Sequence, residues 1–198
     1  GLKEIWDSHW LTNDGPIVRR FTRQLSNYFE TDNICLFTNG TLALQIGLQG
    51  MGISGEVITT PFTFVATTHA LYWNKIRPVF VDIDPTTYNI DVNKIEEAVN
   101  EKTKAIMPVH FGGRPADMDS LLAIAGKHDL KIVEDAAQAW GSEWKNTKVG
   151  AIGDAGCFSF QSSKNITSAE GGIILTNDDE TASFARSFLN CGRVEGGV

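Results

Sequence analysis

Three short segments bring together residue types that could do chemistry. Ser159-Phe160-Gln161-Ser162-Ser163-Lys164 sets a lysine after an apolar strand and a polar turn, close to the small residues Ala169, Gly171 and Gly172. A lysine in such a semi-buried place can have its pKa lowered by desolvation, which frees the neutral amine as a nucleophile. Viewed singly, a solvated loop lysine is the plainer reading. Asp135 follows the apolar strand Lys131–Glu134 in Val133-Glu134-Asp135-Ala136-Ala137-Gln138-Ala139. A carboxylate at the carboxyl end of a strand, with small residues around it, has room for a flat ligand. It could equally cap a turn. Thr38-Asn39-Gly40-Thr41 places a glycine beside a hydroxyl residue at a helix start, where backbone N–H groups and the helix dipole can receive a phosphate. An ordinary N-cap by Asn39 or Thr41 explains the same residues.

Other patterns carry less. Gly50-Met51-Gly52-Ile53-Ser54-Gly55 matches the G-x-G-x-x-G dinucleotide pattern letter for letter. That pattern works only after a strand and at the start of a helix, and here it follows a helix and precedes a strand. It reads as a helix-ending loop, and the NAD reading fails. The four histidines and three cysteines show no C-x-x-C or H-x₃-H spacing, which argues against a zinc site. No G-x-S-x-G elbow supports a hydrolase. Asn39-Gly40-Thr41 and Asn165-Ile166-Thr167 spell glycosylation sequons, which carry no weight without a secretory signal.

The elements that must position these residues alternate along the chain. Helices are expected at the start (Leu2, Ile5, Trp6), over Ile17–Tyr28 and Leu42–Gln49, then over Phe64–Trp73, Asn93–Asn100, Met118–Lys127 and Asp179–Leu189. Strands are expected at Glu56–Thr60, Arg77–Ile83, Ala105–His110, Lys131–Glu134, Cys157–Phe160 and Gly172–Thr176. This alternation predicts an α/β fold of three layers, a mostly parallel sheet with helices on both faces. In such sheets ligands sit outside the carboxyl ends of the strands, where Asp135 and Lys164 fall.

The 198 residues suffice for one substantial domain, and 42% hydrophobic with 21% charged residues is ordinary for a soluble protein. A net charge of −7 argues against a nucleic-acid or anionic-membrane partner. No apolar run approaches the roughly 20 residues that span a bilayer, and the scattered cysteines argue against a disulfide framework. A cytoplasmic setting is expected. The chain begins at Gly1 inside a helical pattern and stops after the glycine-rich Gly192–Gly197, so it reads as a fragment.

Taken together, the chain closely resembles the DegT/DnrJ/EryC1/StrS family of sugar aminotransferases, of the aspartate-aminotransferase fold type. The likeness runs from about Trp10 to Arg193. It rests on Leu11-Thr12-Asn13-Asp14-Gly15-Pro16, Thr38-Asn39-Gly40-Thr41, Pro61-Phe62-Thr63-Phe64, Pro108-Val109-His110 and Pro115-Ala116-Asp117-Met118. Glu134-Asp135-Ala136-Ala137-Gln138, Phe158-Ser159-Phe160, Lys164-Asn165 and Glu170-Gly171-Gly172 complete it. The resemblance implies pyridoxal 5'-phosphate (PLP) as cofactor, held covalently by Lys164, which also carries the proton. It implies that Asp135 pairs with the pyridine nitrogen and that Gln138 lies against the ring or its phenolic oxygen. Phe64 matches the position of an aromatic ring stacked on the pyridine face. Gly40, Thr41 and Ser159 match a phosphate cradle.

The implied reaction moves an amino group from glutamate or glutamine to a nucleotide-linked keto-sugar, in amino-sugar or polysaccharide biosynthesis. Family members that act as sugar dehydratases carry histidine at the position of Lys164, so the lysine favours transamination. Residues 1–198 then form the large, cofactor-binding domain of a chain about twice this length. The active site is expected to be completed across a homodimer interface, and this portion alone is expected to bind cofactor weakly and not to turn over. Gln161-Ser162-Ser163 and Asn190-Cys191-Gly192-Arg193 also resemble members that aminate cyclitol ketones or make an aminobenzoate precursor. A non-catalytic regulator that keeps the fold and the cofactor is a reading of another class.

Overall fold

The computed structural model describes residues 1–193; the end of the glycine-rich segment, from position 194, lies outside the described residues. The helices are α1 (Leu2–Ser8), α2 (Pro16–Phe29), α3 (Gly40–Gly50), α4 (Ala66–Trp73), α5 (Ile95–Ala98), α6 (Met118–His128) and α7 (Asp179–Leu189). The strands are β1 (Ile34–Phe37), β2 (Glu56–Thr59), β3 (Arg77–Phe80), β4 (Thr103–Ile106), β5 (Lys131–Asp135), β6 (Glu143–Trp144), β7 (Thr147–Lys148), β8 (Ala155–Ser159) and β9 (Gly172–Thr176). Seven strands form one sheet in the order β1-β9-β8-β5-β4-β2-β3, and β6 pairs with β7 in a separate hairpin. The pairs β2–β3, β2–β4, β4–β5 and β5–β8 are parallel, while β9 runs antiparallel to both its neighbours.

Strand alternation builds the three layers, because successive side chains leave opposite faces of the sheet. Val57, Ala105, Val133, Cys157 and Ile174 pack with Leu44, Leu48, Leu71 and Ala185, from α3, α4 and α7. Their immediate neighbours face the other way. Ile58, Ile106 and Ile132 pack with Ile95, Met118 and Leu121 of α5 and α6. Farther along the same face, Ile34, Phe158, Ile173 and Leu175 meet Leu25 and Phe29 of α2. Both faces of the central strands are dry, which is why they read as near-continuous apolar runs.

The expected architecture is the observed one, with local differences. The strand β1 and the hairpin β6–β7 were not expected: Ile34–Phe37 has only four residues, and its partner β9 lies far away in sequence. The helix expected from Phe64 begins at Ala66, with Val65 at its N-cap position, so Phe64 sits in the preceding loop. The strand expected over Ala105–His110 is Thr103–Ile106. Pro108 has no N–H to continue the ladder, and one bridge resumes at Val109 opposite Asp135. The strand expected over Arg77–Ile83 ends at Phe80, and that over Cys157–Phe160 lies at Ala155–Ser159. The helix expected over Asn93–Asn100 is a 3-10 turn followed by the single turn α5. Asp135 is the last residue of β5 rather than the one after it. The glycine pattern after α3 is a helix-ending loop, with Gly52 at φ 64. Among the described residues, no helix is long and apolar enough to cross a membrane.

Candidate active site

The carboxyl ends of β5 and β8, the start of α3 and the approach to α4 surround one cavity of about 550 Å³. It is lined by Gly40, Thr41, Phe64, Asp135, Gln138, Ser159 and Lys164, so all seven singled-out residues converge there. A smaller cavity of about 220 Å³ lies between α1 and the start of α2, lined by Ile5, Trp10, Leu11 and Pro16. The carboxylate at its edge, Glu4, is already bonded to Arg20, so nothing there offers chemistry.

One end of the large cavity is a set of neutral donors. Asn39 caps α3: its Oδ1 accepts from Leu42 N–H at 2.8 Å, and its carbonyl accepts from Ala43 N–H at 3.2 Å. The N–H groups of Gly40 and Thr41 donate to no group among the described residues, as the first turn of a helix requires. The Ser159 hydroxyl stands beside them at the end of β8. The capping and phosphate readings of Thr38–Thr41 are therefore compatible, because the cap uses Asn39 and leaves the next two donors open.

At the other end lies Asp135, only 5% exposed. Its strand sits between β4 and β8, and its backbone is tied on both sides. Asp135 N–H donates to the Pro108 carbonyl at 2.9 Å, its own carbonyl accepts from His110 N–H at 3.1 Å, and Ala136 N–H donates to the Cys157 carbonyl. The side chain is held as well: Oδ2 accepts from Thr67 Oγ1 at 2.7 Å, and Oδ1 from Ala137 N–H at 3.2 Å. Burial pushes the carboxyl above its ordinary value; the Thr67 hydroxyl, the Ala137 N–H and the charge of Lys164 act against that rise.

On the opposite face of β5, Glu134 braces the strand. Its carboxylate accepts from Gly150, Ile152 and Gly153 N–H groups at 2.6, 2.8 and 2.6 Å, and lies 2.9 Å from His110 Nε2. His110 Nδ1 accepts from Ala116 N–H at 3.0 Å, which leaves the proton on Nε2 to reach Glu134. Both side chains are fully buried. The pair fastens the extension of β4 and the loop before β8 to the strand that carries Asp135.

Lys164 lies in the loop between β8 and β9, whose two ends are joined by Phe160 N–H to the Gly171 carbonyl at 2.8 Å. The loop is pinned further by Asn165 to the Trp140 carbonyl and by Thr167 to the Phe160 carbonyl. Lys164 is half-buried, and its ammonium has no hydrogen-bond or ion-pair partner among the described residues. Gln138 Oε1 accepts from Gly112 N–H at 2.9 Å, which fixes the amide and leaves its NH₂ open to the cavity. Phe64 is 67% exposed, an aromatic ring presented to the cavity without a protein cover. Among the lining residues that the sequence did not single out are Thr63 and Thr67. Their four-residue spacing across a helix start is common, and only the folded chain places Thr67 against Asp135.

Residues 1–197 match the DegT/DnrJ/EryC1/StrS aminotransferase family. The chain belongs to this family. It is 43% identical over 194 residues to a dTDP-4-amino-4,6-dideoxy-D-glucose transaminase of Shigella dysenteriae, covering 98% of this chain and 53% of that one. A crystal structure of DesI with its TDP-sugar product superposes at a TM-score of 0.92 with 38% identity, over 99% of this chain and 50% of DesI. The Bacillus subtilis NtdA structure with bound PMP superposes at 0.88 with 35% identity, over 94% and 42%. The chain thus spans about half the length of the relatives it matches.

Proposed function

We propose that this chain is the cofactor-binding part of a PLP-dependent aminotransferase that aminates a nucleotide-linked keto-sugar. The observation that carries the reading is the convergence of an unpaired lysine, a buried aspartate and the open N–H groups of a helix start on one cavity. The donor set fits the cofactor. Gly40 and Thr41 N–H with Ser159 Oγ offer neutral donors and a helix dipole to a phosphate. Asp135 offers a buried anion to a pyridine nitrogen, and the open face of Phe64 a stacking surface. The Gln138 NH₂ is free to donate to a phenolic oxygen.

When bound, PLP supplies an electron sink for the bond broken at the substrate carbon. Asp135 would hold a negative charge toward the ring nitrogen in a dry setting and so favour its protonated form. Lys164 Nζ would hold the cofactor and, once the amino donor's nitrogen has displaced it, would be the free amine that takes the proton from the donor's α-carbon. Its lack of a competing carboxylate leaves the amine available. The donor is glutamate or glutamine, and the acceptor class follows from the relatives, one of which is a dTDP-amino-sugar transaminase. The missing half of the protein and a second copy of it complete the substrate side in this reading.

Borohydride reduction of the full-length protein with PLP, followed by peptide mapping, tests the assignment. A pyridoxyl group on Lys164, absent from Lys164→Ala, is the expected result. Label scattered over surface lysines would sink the reading.

A further inference from the structure

Thr67 is 0% exposed and lies in the first turn of α4. Its hydroxyl oxygen has three neighbours: Asp135 Oδ2 at 2.7 Å, Thr63 Oγ1 at 2.7 Å and the Phe64 carbonyl at 3.0 Å. A hydroxyl has one proton to give, and an ionised carboxylate can only accept. With Asp135 charged, the Thr67 proton goes to Oδ2, and the Thr67 lone pair is left to accept the proton of Thr63. The Phe64 carbonyl is satisfied independently by Thr67 N–H at 3.1 Å. The bonds therefore run one way, from Thr63 through Thr67 to Asp135, and each donor polarises the next.

Nothing local demands this arrangement. A threonine in a first helical turn commonly bonds back to a carbonyl of its own segment, and Thr68 does so with Val65 at 3.0 Å. Thr67, besides lying 3.0 Å from the Phe64 carbonyl, reaches across 68 residues at the shorter distance of 2.7 Å to a carboxylate buried at the end of a central strand. Other groups act on Asp135 at longer range. Lys164 from the β8–β9 loop attracts its charge; the His110 N–H bonds its carbonyl, Glu134 shares its strand, and the Cys157 thiol packs from β8. Among the described residues Thr67 is the one side chain that hydrogen-bonds it.

We propose that Thr67, fed by Thr63, is a positioning residue for cofactor activation: its hydroxyl fixes the rotamer of Asp135 and holds its carboxylate as an anion opposite the cofactor's ring nitrogen. The inference rests on the aminotransferase reading above. A bonded hydroxyl at this place offsets the cost of keeping a charge in a dry site. Without it, the aspartate shares the ring proton less firmly and the electron sink weakens, while the groups that bind phosphate and amino donor stay in place.

The test uses full-length holoenzyme carrying cofactor labelled with ¹⁵N at the pyridine position. Thr67→Val removes the hydroxyl at nearly constant shape, and Thr67→Ser keeps it. In Thr67→Val the ¹⁵N resonance is expected to move toward the unprotonated position, with kcat falling about tenfold to a hundredfold and KM for the amino donor little changed. Thr67→Ser restores the resonance and most of the rate. An unmoved resonance in a folded, cofactor-loaded Thr67→Val overturns the proposal. If Thr67→Val does not fold, Thr67→Ala compared with Thr67→Ser gives the same reading, and an identical ¹⁵N position in those two overturns it. A wild-type protein with no cofactor on Lys164 refutes the aminotransferase reading itself, a result distinct from either.

Discussion

Replacing Gly40 by alanine tests whether the start of α3 is held where it is by contact with β8. Gly40 is the first residue of the helix, and a Cβ built there meets Ser159 Cβ at 2.8 Å, the Phe158 carbonyl oxygen at 3.2 Å and Ser159 Cα at 3.3 Å. The first of these lies about 0.7 Å inside the ~3.5 Å at which carbon atoms rest. Strand β8 is locked between β5 and β9, so the helix end must give way. Overpacking of this kind costs about 1–3 kcal/mol, and alanine's better helix propensity returns up to about 1 kcal/mol. The net loss of stability is therefore small, about 0–2 kcal/mol. The loss of cofactor affinity is larger, because Gly40 N–H, Thr41 N–H and Ser159 Oγ are pushed apart together. Weakening one hydrogen bond to a charged phosphate is worth about 1.5–3 kcal/mol, a tenfold or greater rise in Kd. Gly52→Ala is the contrast: its Cβ would meet open space, and its cost is the left-handed backbone at φ 64, about 1–2 kcal/mol. Cofactor titration and urea unfolding on both variants separate the two effects. Wild-type affinity in Gly40→Ala, or equal weakening in Gly52→Ala, would refute the cradle at this helix end.

Three further outcomes are expected. Glu134→Gln keeps one acceptor oxygen but turns an NH₂ toward either Gly150 N–H and His110 Nε2 or the N–H groups of Ile152 and Gly153, so two of the donors lose their acceptor, and unfolding free energy falls by about 2 kcal/mol or more in urea titration; an unchanged midpoint would show that the brace is dispensable. Burial raises the folded-state pKa of Asp135 above its unfolded value, so in cofactor-free protein its contribution to stability is present below the unfolded pKa and lost as pH rises through the folded one. Unfolding midpoints followed across that range should fall with pH in the wild type and less so in Asp135→Asn, and parallel profiles would count against the assignment. Burial, and after it the carboxylates of Asp135 and Glu134, push the Cys157 thiol well above the ordinary value, whereas Cys191 is exposed. A thiol reagent at mildly alkaline pH should modify Cys191 in the native protein and Cys157 only after unfolding, and mass mapping of the labelled peptides decides the matter.

The layers were legible because burial on both faces leaves a local trace. The short runs Glu56–Thr60 and Lys131–Glu134, alternating along the chain with helical periodicity such as that over Ile17–Tyr28 and Met118–Lys127, read as strands of a sheet covered on two sides. The residues of the site were legible one at a time, as a lysine, an aspartate and a glycine-hydroxyl pair beside strand and helix ends. Their common purpose was legible only through the family resemblance, since each residue by itself has an ordinary local explanation.

Composition and pattern, by themselves, determined an α/β protein and pointed to the carboxyl ends of its strands as the place for a ligand, and resemblance placed it in the DegT/DnrJ/EryC1/StrS aminotransferase family. The folded chain decided what depends on partners far apart in sequence. Ile34–Phe37 becomes a strand because β9, far away in sequence, offers it an antiparallel edge. Phe64 is freed from α4 because the helix begins later, at Ala66. Thr67 turns from a routine first-turn threonine into the donor on Asp135 because packing α4 against the sheet brings the two within 2.7 Å. Periodicity records which face of an element is dry, but only packing decides which buried polar groups meet, and a buried carboxylate is defined by the groups it meets.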